Sequence, residues 1–298
     1  MRIVVTGRQG QIARALFEAG TALGIEVTTV GRPELDLAEP ETIEPVLRAA
    51  SPDVVVNAAA YTAVDQAESE PEIAAKINKA GAGAVAAAAK ALGAPIIHLS
   101  TDYVFDGAKT SAYVEDDPVA PASAYGASKL AGEQAVAAAN CDHLILRTSW
   151  VYAPYGKNFV RTMLALAETR EEVRVVADQH GCPTYAPDIA QAIIRIAQNL
   201  LKDRSDPRIR GIFHLAGSGE TTWAGLADAI FEYLAGRSRR RPILTPITSA
   251  EYPTPARRPA NSRLNCAKLA SMHGIELPHW QQSLTTCLKR LVMAKLVD

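Results

Sequence analysis

Arg2-Ile3-Val4-Val5 runs directly into Thr6-Gly7-Arg8-Gln9-Gly10-Gln11-Ile12-Ala13, and helical periodicity then continues to about Leu23. A short apolar strand that turns through two glycines into a helix restricts the fold more than any other stretch. Glycines at such a turn let the backbone approach a ligand closely, and the helix N-terminus behind them attracts anions. The spacing is Gly-x-x-Gly-x-x-Ala. Its third position needs only a small side chain where helix and strand pack, and Ala13 supplies one. A strand before and a helix after are the context of a dinucleotide's pyrophosphate site, with Gly7 and Gly10 as its glycines. A plain strand-to-helix turn is the alternative.

The alternation continues. Glu26 to Val30 reads as a second strand, ending in Gly31-Arg32, and Leu35-Asp36-Leu37 follows. A helix opens near Pro40 and ends before Pro52. Asp53 to Ala60 reads as a third strand ending in small residues, which leave room for a ligand at the carboxyl edge of a sheet. Next comes a long Ala-rich helix carrying Asn78, whose amide, from the residues alone, is simplest as a satisfied core group. A strand from Ile96, a helix to about Ala139 and a strand from His143 to Tyr152 complete the series. Such alternation gives a parallel, doubly wound sheet.

Beyond Tyr152 the pattern loosens. A helix over Asn158 to Glu168, a short strand over Glu172 to Ala177 and a loop over Asp178 to Thr184 are expected. A helix from Pro187 to Leu201 and a strand from Gly211 to Leu215 then return to the sheet. A helix over Trp223 to Ala235, five prolines between Pro242 and Pro259 and a final helix from about Trp280 close the chain. The expected fold class is α/β: a Rossmann-type doubly wound parallel sheet with a smaller, interleaved C-terminal substrate-binding region. Residues 1–152 form the dinucleotide-binding domain, with segments near 187–215 returning to it. Residues 153–186 and 216–298 form the substrate region.

The candidate chemistry lies where the apolar run from Ile96 gives way to Ser100-Thr101-Asp102, and in Tyr125 and Lys129. Those two are spaced i and i+4, on one face of a helix. A free tyrosine titrates near pH ~10. A fixed ammonium beside it is expected to lower that value toward working pH and make the phenol a ready proton donor. A strand-end hydroxyl then holds the oxygen that Tyr125 protonates. Tyr-x-x-x-Lys also arises by chance on solvated helix faces, so its weight comes from the glycine turn upstream. At the end of the second strand a carboxylate usually meets a ribose 2′-hydroxyl; here stands Arg32, with Arg8 in the glycine turn. Two guanidiniums suit a 2′-phosphate, which makes NADPH the expected cofactor with NADH also admissible. Two merely exposed arginines are the other reading. Phe105 to Ala122 is either a mobile surface loop or a substrate-side lid.

The formal net charge of −1 offers no general attraction to nucleic acid or an anionic membrane. The basic run Arg237 to Arg241 reads as a solvated loop between helix and strand. Cys141, Cys182, Cys266 and Cys287 lie far apart without metal-ligand spacing, which fits a reducing cytosol. Met1 leads straight into a strand, and the Ala-rich helix is too short to span a bilayer. A cytoplasmic protein is expected.

The glycine turn, Asn78, Ser100-Thr101-Asp102-Tyr103-Val104-Phe105 and Tyr125-x-x-x-Lys129 together resemble the extended short-chain dehydrogenase/reductases that act on nucleotide sugars. Val56 to Glu68, Arg147 to Tyr152, Asp178 to Thr184, Tyr252 to Pro259 and Asn261 to Leu264 narrow the resemblance to the dTDP-4-dehydrorhamnose reductase family, in that family's order. The resemblance implies an NAD(P)H-dependent reduction of the 4-keto group of dTDP-4-dehydro-L-rhamnose to dTDP-L-rhamnose. It implies Tyr125 as proton donor, Lys129 as the partner that tunes it, and Thr101 as the hydroxyl on the keto oxygen. Asn78 would join the proton-relay set. Gly10, Gln11, Ile12, Gly31, Arg32, Asp36, Leu37, Ala60, Tyr61, Thr62 and Leu99 fall where the family holds the dinucleotide, with Tyr125 and Lys129 beside it.

Thr101, Asp102 and Trp150 fall where the family holds the sugar. Arg257 and Arg258 are diphosphate-clamp candidates, since guanidinium forks match phosphate oxygens; a helix-end salt bridge is the alternative. Some members resemble a magnesium-linked dimer held by glutamates. The corresponding neighbourhoods here read Arg14-Ala15-Leu16 and Ala186-Pro187-Asp188. No metal site is therefore expected, and a homodimer stays open. The competing functions are another nucleotide-sugar 4-keto reductase or epimerase, and a non-catalytic NADP-binding regulatory subunit.

Overall fold

The computed structural model describes residues 1–237 and 239–294. Its first strands are β1 (Arg2–Thr6), β2 (Glu26–Val30), β3 (Val54–Asn57), β4 (Ile96–Thr101) and β5 (His143–Thr148). Short strands follow: β6 (Val151–Tyr152), β7 (Glu172–Val176), β8 (His180–Gly181) and β9 (Thr184–Tyr185). The last four are β10 (Gly211–His214), β11 (Thr221–Thr222), β12 (Ile243–Ile247) and β13 (Asn261–Ser262). The α-helices are α1 (Gln11–Leu23), α2 (Ile43–Ala50), α3 (Pro71–Ala75), α4 (Ala82–Ala91) and α5 (Ala124–Ala139). They continue as α6 (Phe159–Thr169), α7 (Ala186–Lys202), α8 (Trp223–Ala235), α9 (Ala267–His273) and α10 (Trp280–Ala294).

The central sheet has six strands in the order β10-β5-β4-β3-β1-β2, with every neighbouring pair parallel. Its inner strands carry buried apolar runs such as Ile3-Val4-Val5 and Val54-Val55-Val56 because both faces are covered. Ile3, Val5, Val54, Val56, Ile97 and Leu99 pack with α1 and α7 on one face. Their alternating neighbours Val4, Val55 and Ile96 pack with α2 and α4 on the other. The strand order reverses between β1 and β3, and a crevice opens there beyond the carboxyl ends of the strands. A second core joins α6, α8, α10 and β7 through Val160, Met163, Val173, Phe231 and Leu284.

Several elements differ from the sequence reading. The strand expected to run to Tyr152 stops at Thr148. Trp150 takes φ 49°, and Val151 and Tyr152 pair with β9 outside the central sheet. A non-glycine residue held there costs on the order of 1–3 kcal/mol. The Trp150 ring offsets it by stacking on Trp223, with centroids 3.6 Å apart. The expected third strand stops at Asn57 rather than Ala60. The expected loop Asp178 to Thr184 contains β8, which pairs with β11 and β13, and the start of β9. The Ala-rich helix is interrupted between α3 and α4 by a π-helical turn, Lys76–Gly81, which holds Asn78. Such turns frequently mark functional sites.

The Phe105 to Ala122 segment is pinned rather than loose. Asn261 Nδ2 donates to the carbonyls of Lys109 (2.7 Å) and Ser111 (2.8 Å), and Tyr113 stacks on Phe105 at 4.2 Å. In the basic run, Arg241 pairs with Asp228 and Glu232 and Arg240 with Glu171, as a solvated surface would; Ser238 lies outside the described residues. The four cysteines are free. Among the described residues no helix is long and apolar enough to cross a membrane.

Candidate functional site

Gly7 leaves β1 with φ +97°, a conformation that favours glycine, and a Cβ there would lie 3.5 Å from Ala59 across the crevice. Gly10 caps α1 with no side-chain bond and no acidic residue in the first turn, and a Cβ on it would meet nothing within 4 Å. The first N–H groups and the positive end of α1 are therefore free for an anion, which fits the diphosphate of a dinucleotide. The Gln11 side chain is used elsewhere: its Oε1 accepts from Asn158 Nδ2 at 2.9 Å, tying α1 to the C-terminal region. Ile12 packs into the core beneath the turn.

Beyond β2, Arg32 is exposed, but Arg8 is not free. It pairs with Glu34 at 2.6 Å and donates to the Arg32 carbonyl at 3.2 Å. The sequence reading missed Glu34 as a carboxylate in this corner. Asp36 turns its carboxylate onto the Ala38 N–H (2.9 Å), and the Leu37 carbonyl abuts Gly81, where a Cβ would sit 2.4 Å from it. Asn78 clamps the loop after β3. Its Oδ1 accepts from the Tyr61 N–H (2.8 Å), while its Nδ2 donates to the Tyr61 carbonyl (3.1 Å) and to Ser128 Oγ (2.9 Å). Its side chain is a satisfied core amide that fixes Ala60-Tyr61-Thr62 against α5. With Arg32 as the exposed cation of the corner, Arg32→Asp should shift cofactor preference from NADPH toward NADH, read as the ratio of the two kcat/KM values. An unchanged ratio would contradict it.

The catalytic candidates meet at the end of β4. Ser123 caps α5 by accepting from the Gly126 N–H (3.1 Å), and Glu68 accepts from the Ala124 N–H (2.8 Å). These bonds set the first turn, which carries Tyr125. Thr101 donates to Asp102 Oδ1 at 3.0 Å and accepts from the Tyr103 N–H at 3.2 Å. Lys129 is buried and its ammonium donates to the Leu99 carbonyl at 2.6 Å. One expectation is corrected here. Burial, then the negative charge of Asp102, pushes the Tyr125 phenol up rather than down, against the Thr101 hydroxyl that pulls the other way. Lys129 does not offset this, because its ammonium is directed at Leu99. Burial instead lowers Lys129 itself to about 8, opposed by Glu133.

On the substrate side, Asp102 is buried, and burial raises it to about 6 against the Ser262 and Thr101 hydroxyls. Ser262 lies opposite Gly181 in the β13–β8 pair. Gly181 in turn makes room for Trp150, because a Cβ on it would come 2.4 Å from the indole. Trp150 is therefore on the same side of the sheet's carboxyl edge as Asp102, backed by Trp223, whose Nε1 donates to Gln179 Oε1 at 3.1 Å. Trp223 went unnoticed in the sequence because it reads only as the start of a helix.

The two arginines are not brought together as a pair. Arg257 is exposed, with Asp106 as a charged neighbour. Arg258 is committed: its Nη2 contacts Asp65 Oδ2 at 2.6 Å and its Nη1 donates to Tyr103 Oη at 3.0 Å. No group of three His, Cys, Asp or Glu that could hold a metal occurs among the described residues.

The family model described as "RmlD substrate binding domain" matches residues 1–293. A dTDP-4-dehydrorhamnose reductase of Sinorhizobium fredii is 54% identical over 298 residues, covering 100% of this chain and 99% of that protein. The crystal structure of a dTDP-4-dehydrorhamnose reductase from Clostridium acetobutylicum superposes with a TM-score of 0.91 at 37% identity, covering 98% of this chain and 100% of that one. That of the Bacillus anthracis enzyme, in complex with NADP, gives 0.88 at 34% identity over 97% of this chain and 99% of that one. The chain belongs to the RmlD substrate binding domain family, the family of the dTDP-4-dehydrorhamnose reductases.

Proposed function

We propose that the protein reduces the 4-keto group of dTDP-4-dehydro-L-rhamnose to give dTDP-L-rhamnose, with NADPH as cofactor and no resident metal. The observation that carries this is the convergence of Thr101, Asp102, Tyr125 and Lys129 beyond β4, two strands from the open glycine turn of β1. A bound NADPH supplies the hydride. The chain's own residues do the rest. The N-terminus of α1 would hold the diphosphate, and the loop fixed by Asn78 would supply part of the dinucleotide's contacts. Tyr125 gives its proton to the keto oxygen as charge develops there, and the Thr101 hydroxyl orients that oxygen. Lys129, held on the Leu99 carbonyl, keeps a positive charge beneath the site.

Residues 1–152, with the segment near 187–215, serve the dinucleotide; residues 153–186 and 216–298 serve the sugar nucleotide. The protein works in the cytoplasm, in keeping with its free cysteines. The test is turnover with NADPH and a panel of 4-keto nucleotide sugars in buffer containing EDTA. The dTDP sugar should be reduced best. A better uridine- or guanosine-linked substrate, or loss of activity to EDTA with recovery on magnesium, would contradict the assignment.

A further inference from the structure

Tyr103 sits between both catalytic side chains and a distant ion pair. Its N–H donates to Thr101 Oγ1 at 3.2 Å, and its ring meets that of Tyr125 edge to face at 5.6 Å. Its carbonyl lies against the first turn of α5, where a Cβ on Gly126 would come within 2.2 Å. Its hydroxyl accepts from Arg258 Nη1 at 3.0 Å. Arg258 is aimed by Asp65, whose other oxygen accepts from the Ala256 N–H at 3.2 Å. Asp65 belongs to the loop after β3 on the cofactor side, and Arg258 to the proline-rich C-terminal segment, 193 residues away in sequence.

We propose that Tyr103 is a positioning residue for Tyr125, held in place by an Asp65–Arg258 latch that joins the cofactor side to the C-terminal segment; this rests on the reductase reading above. The latch is poorly placed to hold the fold itself, because the Arg258 and Asp65 side chains are 26% and 41% exposed, and pairs that open contribute little to stability. It is well placed to fix an angle. The guanidinium fork spans two acceptors at once, the carboxylate of Asp65 and the phenol of Tyr103, so it sets the Tyr103 ring relative to both. An edge-on ring contact then restricts where the Tyr125 phenol can swing. Arg258, on this view, is not a free clamp for the substrate diphosphate.

The test compares wild type with Tyr103→Phe, Asp65→Asn and Arg258→Lys, all assayed with NADPH and the dTDP 4-keto sugar. Tyr103→Phe keeps the ring and loses only the hydroxyl that Arg258 grips. Each variant should lose about ten- to a hundredfold in kcat, as expected for a misplaced reacting group. KM for both substrates should stay within about twofold and the melting temperature should be unchanged, since the ground-state contacts survive. Unchanged kcat in Tyr103→Phe would overturn the inference, even if the other two variants failed to fold. A raised KM for the nucleotide sugar with kcat intact in Arg258→Lys would also overturn it, because Arg258 would then act as a diphosphate clamp. A wild type that reduces no 4-keto sugar would overturn the function and this inference together, a distinct result.

Discussion

Replacing Tyr125 with Phe should lower turnover by about 100- to 10,000-fold, the range general acid catalysis typically contributes. The ring, the α5 helix and the contact with Tyr103 all survive the change, so NADPH affinity should barely move. The pH profile of the wild type then shows which group limits the rate at each end. Burial and the Asp102 charge push Tyr125 up, so it keeps its proton throughout the working range. Lys129 has been lowered to about 8. Its ammonium is therefore present below that value and is lost as pH rises through it, and activity should fall there. Asp102, raised to about 6, loses its charge as pH drops through that value; as the proposed sugar contact it would then be a weaker acceptor, so activity should also fall there. The profile of kcat/KM should be a bell with its plateau between the two. A rate that keeps rising through the alkaline limb, or a near wild-type Tyr125→Phe, would remove the assigned roles.

Glu133→Ala should cost about 3–5 kcal/mol of stability, the usual consequence of removing one partner of a buried ion pair. Arg147 donates to Glu133 through Nε (2.9 Å) and Nη2 (2.7 Å), and Ser100 donates to the same carboxylate at 2.5 Å. The side chains of Arg147 and Glu133 are only 2% and 3% exposed, so water cannot replace the lost partner. Urea unfolding measures the loss. The double replacement Glu133→Leu with Arg147→Met should recover much of it, because no charge is then left alone. A single-variant loss below about 1 kcal/mol, the level of an exposed pair, would mean that the network contributes no more than surface charge. The bond between Ser100 and Glu133 also joins α5 to β4 one turn beyond Lys129. The same residues that hold the fold therefore hold the catalytic helix in register.

Much of this was readable from local pattern. Apolar runs such as Val54-Val55-Val56 require helices on both faces; α8 begins and ends where the sequence placed it, and α5 ends at the expected Ala139. Glycine chemistry identified the turn after β1 because it depends on backbone geometry alone. What escaped depends on partners far away in the chain. Trp150 leaves the sheet because Gly181 gives its ring space and Trp223 gives it a surface, and neither is near it in sequence. The strands β8 and β13 have two residues each, too few to show a period. Arg258 could be recognised as a guanidinium suited to phosphate, but not as one already occupied by Asp65 and Tyr103. Tyr125 and Lys129 share a helix face as expected, yet the target of the ammonium, the Leu99 carbonyl, lies on another element.

The most direct measurement follows the transferred hydrogen. The protein is incubated with dTDP-4-dehydro-L-rhamnose and NADPH carrying deuterium at the reactive nicotinamide carbon, and the product is analysed by nuclear magnetic resonance. The expected product is dTDP-L-rhamnose with one deuterium at C4 and none elsewhere on the ring. Deuterium at any other carbon, or recovery of unchanged keto sugar beside intact NADPH, would contradict it.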